Sequence, residues 1–369
     1  MSDTKTLQVN DTTNSTTTNA TPPPRVRPVM AEYIWIGGNG PVDLRSKTRV
    51  IIIEVDENDK PKQAVDLPAW NYDGSSTNQA SVEKSEILLN PCSVFTDPFR
   101  GSPHVLVLCD TFDAETQLPL ASNNRVNAFK VFKDHADKKG AFAFEQEYVV
   151  CESAEKGGER LATSCGDGSH YCGSLVHPKS RMVMENHLKA CLVAGISMSG
   201  CNVEVMDSQL EYQVGPVDGL SACDQLWVSR YILMRLCEAN DLSVSFDPKI
   251  VPDKNGSGCH MNFSTEEMRE GSSTESGLDH ILAVMPKLEA KHSEYVKLCG
   301  DSTVSRLTGT HETSSYKTFT HGIGDRSVSV RIPKLTELNK KGYLEDRRPS
   351  SNVDPYVVAP LLLAHCVSA

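Results

Sequence analysis

The sequence lacks several features, and each absence narrows the reading. No apolar run approaches the roughly 20 residues that a membrane-spanning helix requires, so an integral membrane protein of that kind is excluded. The 12 cysteines include no C-x-x-C pair. Most sit inside apolar segments, such as Cys109 after Val105-Leu-Val-Leu and Cys191 beside Leu192. They read as small buried hydrophobes kept reduced in the cytosol, not as a disulfide framework. There is no G-x-x-x-x-G-K-[ST] loop, no kinase-type glycine loop before a lysine and no G-x-S-x-G elbow. Positive charge is also short: the formal net charge is −11, which argues against nucleic acid or an anionic membrane as a main partner.

The 369 residues, 39% of them hydrophobic, suffice for two domains or one large domain with an appendage. Residues 1–28 form a Ser/Thr/Asn-rich opening closed by Pro22-Pro23-Pro24, a composition that predicts a disordered tail. The tail has two early acids and no apolar segment for secretion, so it makes a poor targeting peptide, and organelle targeting stays the alternative. Residues 29–113 read as short strands with long connections, a small α+β unit. Strands are expected at Ala31–Ile36, Val50–Ile53 and His104–Cys109, with Trp70–Thr77 as a loop of turn formers. Residues 114–369 read as a large antiparallel sheet backed by helices. Helices are expected near 126–137, 181–194, 224–239 and 278–298, strands at 202–206, 209–214, 243–246, 259–263 and 327–332, and a Gly/Ser-rich loop at 152–170.

The chemistry begins at Ala143-Phe-Glu145-Gln-Glu147-Tyr-Val-Val150, a strand by composition. Two residues apart, Glu145 and Glu147 share one face, and Phe144, Gln146 and Tyr148 share the other. Burial would raise the pKa values of such a pair unless a cation lay between them. A second acid pair lies in Val203-Glu204-Val-Met206 and Gln209-Leu-Glu211. A tight turn at Asp207-Ser208 would set Glu204 opposite Glu211, a repulsive pairing unless both hold a divalent cation. A longer loop with both groups in water is the alternative.

Gly256-Ser-Gly-Cys-His260-Met-Asn262 places a histidine at the start of a strand. The glycines before it allow backbone to approach a ligand, and Asn255 with Gly256 could present amide groups to a small polar substrate. The C-terminal third adds guanidinium groups: Arg306, Arg326 after Gly322-Ile-Gly-Asp325, Arg331 on the polar face of Ser327–Ile332, and Arg347, which shares a face with Glu345 if that segment is extended. Arginine forks suit carboxylate and phosphate. Beside several carboxylates they fit a nucleotide triphosphate bridged by divalent ions. The residues alone thus point to a metal-dependent, phosphate-handling enzyme with a carboxylate substrate.

At this point the chain resembles the eukaryotic-type glutamine synthetase family. The likeness runs from about residue 30 to the C-terminus. It rests on Trp70-Asn-Tyr-Asp-Gly-Ser-Ser-Thr, Phe144-Glu-Gln-Glu-Tyr, Asn202-Val-Glu-Val-Met with Glu211-Tyr-Gln-Val-Gly-Pro, Asn255-Gly-Ser-Gly-Cys-His, Arg306-Leu-Thr-Gly with His311-Glu-Thr, and Glu345-Asp-Arg-Arg-Pro with Asn352-Val-Asp-Pro-Tyr. The resemblance implies an α+β fold, with a small N-terminal β-grasp-like domain followed by a large catalytic domain whose curved antiparallel sheet is backed by helices. It implies ATP-dependent ligation of ammonia to the γ-carboxylate of L-glutamate through γ-glutamyl phosphate, in the cytoplasm. One Mg²⁺ or Mn²⁺ would be held by Glu147, Glu204 and Glu211, and a second by Glu145, His260 and Glu345. Arg326 and Arg331 would bind ATP phosphates, with Asn262 and Tyr343 near the nucleotide. Asn255, Gly256, Arg306 and Arg347 would hold glutamate. Asp73 would take the ammonium and Glu312 would sit on a flap. Stacked rings, a decamer, would place each active site between subunits, so that Asp73 serves its neighbour.

The sequence departs from the family pattern in places. Ala141-Phe-Ala143 stands for Trp-Phe-Gly, and Lys254 for a Trp before Asn-Gly. Leu210 replaces a Trp in the hairpin, Asp325-Arg-Ser327 replaces Asn-Arg-Gly, and the 152–170 loop is short. Two other readings compete: a non-catalytic ring protein, which the complete ligand set opposes, and a ligase using another amine or acid.

Overall fold

Period-two alternation organises the first third of the chain. In the computed structural model, residues 25–56, 67–153, 158–161, 170–174, 176–300 and 302–368 are described. Five strands form the first sheet: β1 (Arg25–Ile36), β2 (Leu44–Val55), β3 (Trp70–Asp73), β4 (Glu86–Thr96) and β5 (Val105–Asp113). Their order is β2-β1-β5-β4-β3, with β1 and β5 parallel and the other neighbours antiparallel. The expected tail runs too far. Arg25–Pro28 pair with Ile52–Val55 as the start of β1, and residues 1–24 lie outside the described range. Trp70–Asp73 is a strand where a loop is expected, and Gly74–Thr77 is a short 3₁₀ turn. β4 goes unanticipated because Pro91 interrupts its pattern, and the register shifts there, between Pro91 and Ser93.

The central strands of this sheet are apolar on both faces. Val29, Ala31, Tyr33 and Trp35 pack with Val105, Val107 and Cys109 on one side. On the other side Ile34, Leu106 and Leu108 join the core of the second unit, beside Phe142 and Phe144. That two-sided burial is why Val105-Leu-Val-Leu reads as an unbroken apolar run.

The second unit follows in order: α1 (Arg125–Asp134), β6 (Ala141–Glu152), α2 (Pro178–Ala194), β7 (Met198–Val203), β8 (Gln209–Asp218), α3 (Gly219–Ala239), β9 (Leu242–Ser245), β10 (Cys259–Ser264), α4 (Glu266–Glu270), α5 (Gly277–Ala290), α6 (His292–Leu298), α7 (Thr303–Arg306), β11 (His321–Ile323), β12 (Val330–Ile332), α8 (Lys334–Asn339), β13 (Leu344–Asp346) and α9 (Pro355–Val367). The sheet order is β11-β12-β13-β10-β6-β8-β7, with β9 added on β6. Apart from the parallel β11–β12 pair, the described pairings are antiparallel. The fold is therefore mixed α+β, a curled sheet backed by helices.

Phe142, Phe144, Gln146, Tyr148 and Val150 of β6 are fully or almost fully buried against α3 and its neighbours, which leaves the opposite face of β6 for chemistry. The helix expected over 278–298 is two helices, broken at Lys291. Beyond the break the His292 ring turns inward, its Nε2 lying 3.0 Å from the Tyr316 carbonyl. The expected strand 327–332 is ordered as a strand only over Val330–Ile332.

Two ion networks join the units. Glu32 on β1 accepts hydrogen bonds from Tyr231 of α3 at 2.6 Å and Ser46 at 2.8 Å, and pairs with Arg100 at 2.6 Å. Arg125 bridges Asp224 at 2.8 Å and Asp110 at 3.1 Å, and Tyr356 donates to Asp224 at 2.6 Å. Burial works to raise the Glu32 carboxyl, but the bonds from Tyr231, Ser46 and Arg100 outweigh it and hold the pKa down to about 2, against an ordinary 4.5. The charged form thus stabilises the native state above 4.5, and this contribution is lost as pH falls through about 2. Glu32→Gln is expected to lower the unfolding free energy near neutrality by about 3 kcal/mol. In urea titrations the deficit should shrink towards zero as the pH is lowered through that window.

Candidate active site

The functional face is built by register. β6 lies between β10 and β8, so His260 stands beside Glu145, which stands beside Gln213. One pleat further along, Glu147 stands beside Glu211, which stands beside Asn202. One pleat the other way, Ala143 neighbours Asn262, Asn262 neighbours Glu345, and Glu345 neighbours Arg331. Residues up to about 200 positions apart in the chain therefore meet as three rows on a single face.

Glu145, His260 and Glu345 each offer a ligand atom, and the three atoms lie within 4.8 Å of one another. His260 Nδ1 is 3.5 Å from Glu145 and 3.6 Å from Glu345, while its Nε2 is buried with no hydrogen-bond partner. Burial, with the nearby Arg347 charge, keeps the imidazole pKa well down, and so neutral and able to coordinate. Two carboxylates and an imidazole at this spacing could hold a divalent metal ion. Glu345 is also clamped by Arg331 and Arg347, each at 2.6 Å.

The second expected ligand set is arranged differently. Glu204 does not face Glu211. Val203 pairs with Leu210 and Asn202 with Glu211, and Glu204 begins a turn in which its N–H donates to the Gln209 carbonyl at 2.9 Å. Ser208, at φ 60°, closes that turn. The Glu204 carboxylate accepts from Asn202 at 2.8 Å. Among the described residues only the Glu145–His260–Glu345 group converges within 4.8 Å. Glu147, Glu204 and Glu211 nevertheless feel one another. Burial and then the Glu204 charge raise the Glu147 carboxyl to about 8. Burial and then Glu145, Glu147 and Glu204 raise Glu211 to about 10. Glu204 is raised too, chiefly by burial.

The glycines of 255–258 are required by closeness. A Cβ on Gly256 would stand 2.4 Å from the Pro248 carbonyl oxygen, and one on Gly258 2.6 Å from His260 Nε2. Gly258 N–H donates to Glu147 at 2.8 Å. Arg306 is buried, and its Nη2 donates to the carbonyls of Arg347, Arg348 and Pro349 at 2.6–3.0 Å. One guanidinium nitrogen is thus committed to backbone, while Nη1 lies on the Gly258 side. Arg347 also donates to the Glu312 carbonyl at 3.2 Å, tying in a loop where His311 and Glu312 hold φ of 54° and 60°. Asn262 donates to Glu145 at 2.7 Å. Tyr343 is half exposed before β13, and Arg326 is exposed between β11 and β12. Asn255 is half-buried in the loop before β10.

Asp73 is exposed at the end of β3, in the first sheet. It accepts from Ser76 Oγ at 2.6 Å and Ser75 Oγ at 2.7 Å, and these bonds hold its pKa below the usual range. Sequence reasoning missed two supporting groups. Gln209 donates to Glu147 at 3.0 Å and to the Gly256 carbonyl at 3.1 Å, joining the β8 start to the glycine loop. Arg230 is fully buried and donates to Gln146 at 2.8 Å, Val353 O at 2.8 Å and Ser351 O at 3.1 Å, directly behind Glu145 and Glu147. An arginine set among Trp227, Val228, Tyr231 and Ile232 of α3 was the available signal.

A family model described as the glutamine synthetase catalytic domain matches residues 124–367. The chain belongs to the glutamine synthetase family. It is 45% identical to glutamine synthetase cytosolic isozyme 1-3 of Arabidopsis thaliana over 341 residues, which cover 90% of this chain and 93% of that one. It is 43% identical to the glutamine synthetase of Neurospora crassa over 345 residues, 92% of each. A putative glutamine synthetase of Acanthamoeba polyphaga mimivirus is 44% identical over 337 residues, 90% of this chain and 93% of the relative. The synthetase model takes in every site residue named above except Asp73. No helix among the described residues is long and apolar enough to cross a membrane.

The raised carboxyls give a pH signature. Without metal, the folded chain holds protons on Glu147 and Glu211 that the unfolded chain would release. The contribution of these two groups to stability is therefore fully present below about 4.5 and is lost as pH rises through about 8 for Glu147 and about 10 for Glu211. A divalent cation binding these carboxylates would have to displace those protons. Adding Mn²⁺ or Mg²⁺ near pH 7 should release protons into a weakly buffered indicator solution, and should raise Tm more at about pH 8 than at about pH 6. Tm gains independent of pH would disprove the linkage.

Proposed function

We propose that the chain joins ammonia to the γ-carboxylate of L-glutamate with ATP, giving L-glutamine, ADP and phosphate. The observation that carries this reading is the three-row face, which sets Glu145, His260 and Glu345 among Arg331 and Arg347 in a chain of this family. Glu145, His260 and Glu345 would hold one ion, and Glu147, Glu204 and Glu211 a second, either Mg²⁺ or Mn²⁺. When bound, these ions supply charge neutralisation for phosphoryl transfer.

The protein's own groups supply the rest. The γ-carboxylate of glutamate is a poor electrophile until phosphorylated. Arg326 and Arg331 bind the ATP phosphates and stabilise the charge that spreads during transfer. Asn255, Gly256, Arg306 and Arg347 hold glutamate. Arg306 does so largely by fixing the 347–349 backbone, since its Nη2 is engaged there. The Glu312 loop closes over the acyl phosphate and keeps water out. Asp73 binds ammonium and assists loss of its proton before attack. Asp73 ends a strand of the first sheet, and a neighbouring subunit's Asp73 completes each site in stacked rings, a decamer. The cytosolic isozymes among the relatives support action in the cytoplasm.

ADP release measured with glutamate, ATP and each of a series of amines tests the reaction. Ammonium should give the highest turnover, and a better amine would point to a different ligase. Glu147→Gln should cut turnover by orders of magnitude with the fold intact, and near-normal turnover at saturating metal would remove Glu147 from the ligand set. For Asp73→Asn, the ammonium KM should rise and glutamine formation fall by about 100-fold or more. Hydroxylamine is neutral near pH 7, so γ-glutamyl hydroxamate formation should suffer far less. Equal loss with both nucleophiles would assign Asp73 to structure or to the phosphoryl step.

A further inference from the structure

Beyond Glu145, the same face of β6 continues through Ala143 to Ala141, two residues with almost no side chain. Together with Asn262, Gln213, Arg269 and Tyr343 they line a cavity of about 400 Å³ whose wall is mainly apolar. At about 3.3 Å per residue, Ala141 lies roughly 13 Å along the strand from Glu145. That is a suitable reach from phosphates held near Glu145 and Arg331 to the far edge of a nucleotide base.

The amide and guanidinium nitrogens of this wall are engaged with the protein. Gln213 donates both to Asn202 at 2.8 Å and to Glu211. Asn262 donates to Glu145 at 2.7 Å. Arg269 donates to Ser264 at 2.9 Å and to the Lys139 carbonyl at 2.7 Å. Tyr343 offers an exposed aromatic face, while the alanines present only methyl groups to the far end. An apolar pocket separates similar ligands by only about 10–200-fold, whereas a site that hydrogen-bonds an edge can reach about 10⁴–10⁵.

We propose that this pocket holds the base of the nucleotide by shape and stacking without reading its distal edge. Ala141 and Ala143 then act as specificity-determining residues that admit GTP and N6-substituted adenine nucleotides besides ATP. This rests on the ligase reading, and it concerns which purine triphosphate serves that reaction.

Phosphate release with glutamate and hydroxylamine, measured for ATP, GTP and N6-benzyl-ATP, tests it on the full-length assembled enzyme. Expected kcat/KM values for GTP and N6-benzyl-ATP lie within about 100-fold of that for ATP. Ala141→Trp and Ala141→Phe, each checked for an unchanged melting profile, should raise the ATP to N6-benzyl-ATP ratio by about 100-fold. Turnover of ATP with neither analogue used above about a thousandth of its rate overturns this inference and leaves the ligase reading standing. Absence of ATP turnover takes down both. An unchanged ratio in folded Ala141 variants removes the alanines as determinants.

Discussion

Carboxylates gathered on one face of a sheet repel each other, and burial strengthens the repulsion. Glu145, Glu147, Glu204, Glu211 and Glu345 are in that position, and much of the larger unit is arranged to tolerate them. Glu345 is neutralised by two guanidinium groups. Glu147 and Glu211 are driven towards their protonated forms. Gln209 and the Gly258 N–H supply hydrogen bonds to Glu147. Behind the face, Arg230 binds Gln146 and two carbonyls of the 351–353 segment, so the strand cannot rotate its acids away from one another without breaking a buried network. Divalent ions would relieve this repulsion directly, which makes the site's chemistry and its electrostatic strain two aspects of one arrangement.

The periphery of the site is held more loosely than its floor. Arg347 links Glu345, almost fully buried, to the carbonyl of Glu312 on an exposed loop. One guanidinium thus touches both a buried carboxylate and a segment whose backbone takes left-handed conformations. A substrate carboxylate competing for Arg347 would act on that loop through a single side chain.

The alternation of Glu145 and Glu147 was legible because a strand's period is fixed at two, and burial of Phe144, Gln146 and Tyr148 behind them follows from it. The strand positions of His260 and Arg331 were legible for the same reason. Glu204 was misplaced because the turn after Val203 is longer than its polar residues suggest, and a hairpin register shifts with its turn. Arg230 and Gln209 were missed because their partners are backbone carbonyls and residues distant in sequence, to which no local pattern points. Asp73 entered only through family resemblance. Its surroundings of Ser75 and Ser76 look like an ordinary polar turn. The family itself was legible from its long motifs, whereas the openness of the Ala141 pocket required the walls contributed by four strands to be assembled.

The first sheet presents Ile34, Leu106 and Leu108 to the core of the second unit, while the same strands carry their own core on the opposite face. The two units share a wall as well as a border. Such a chain has little modularity: neither half could be exchanged, fused elsewhere or duplicated alone without leaving a bare apolar face. Recombination that swaps either unit whole would have to rebuild that shared wall as well.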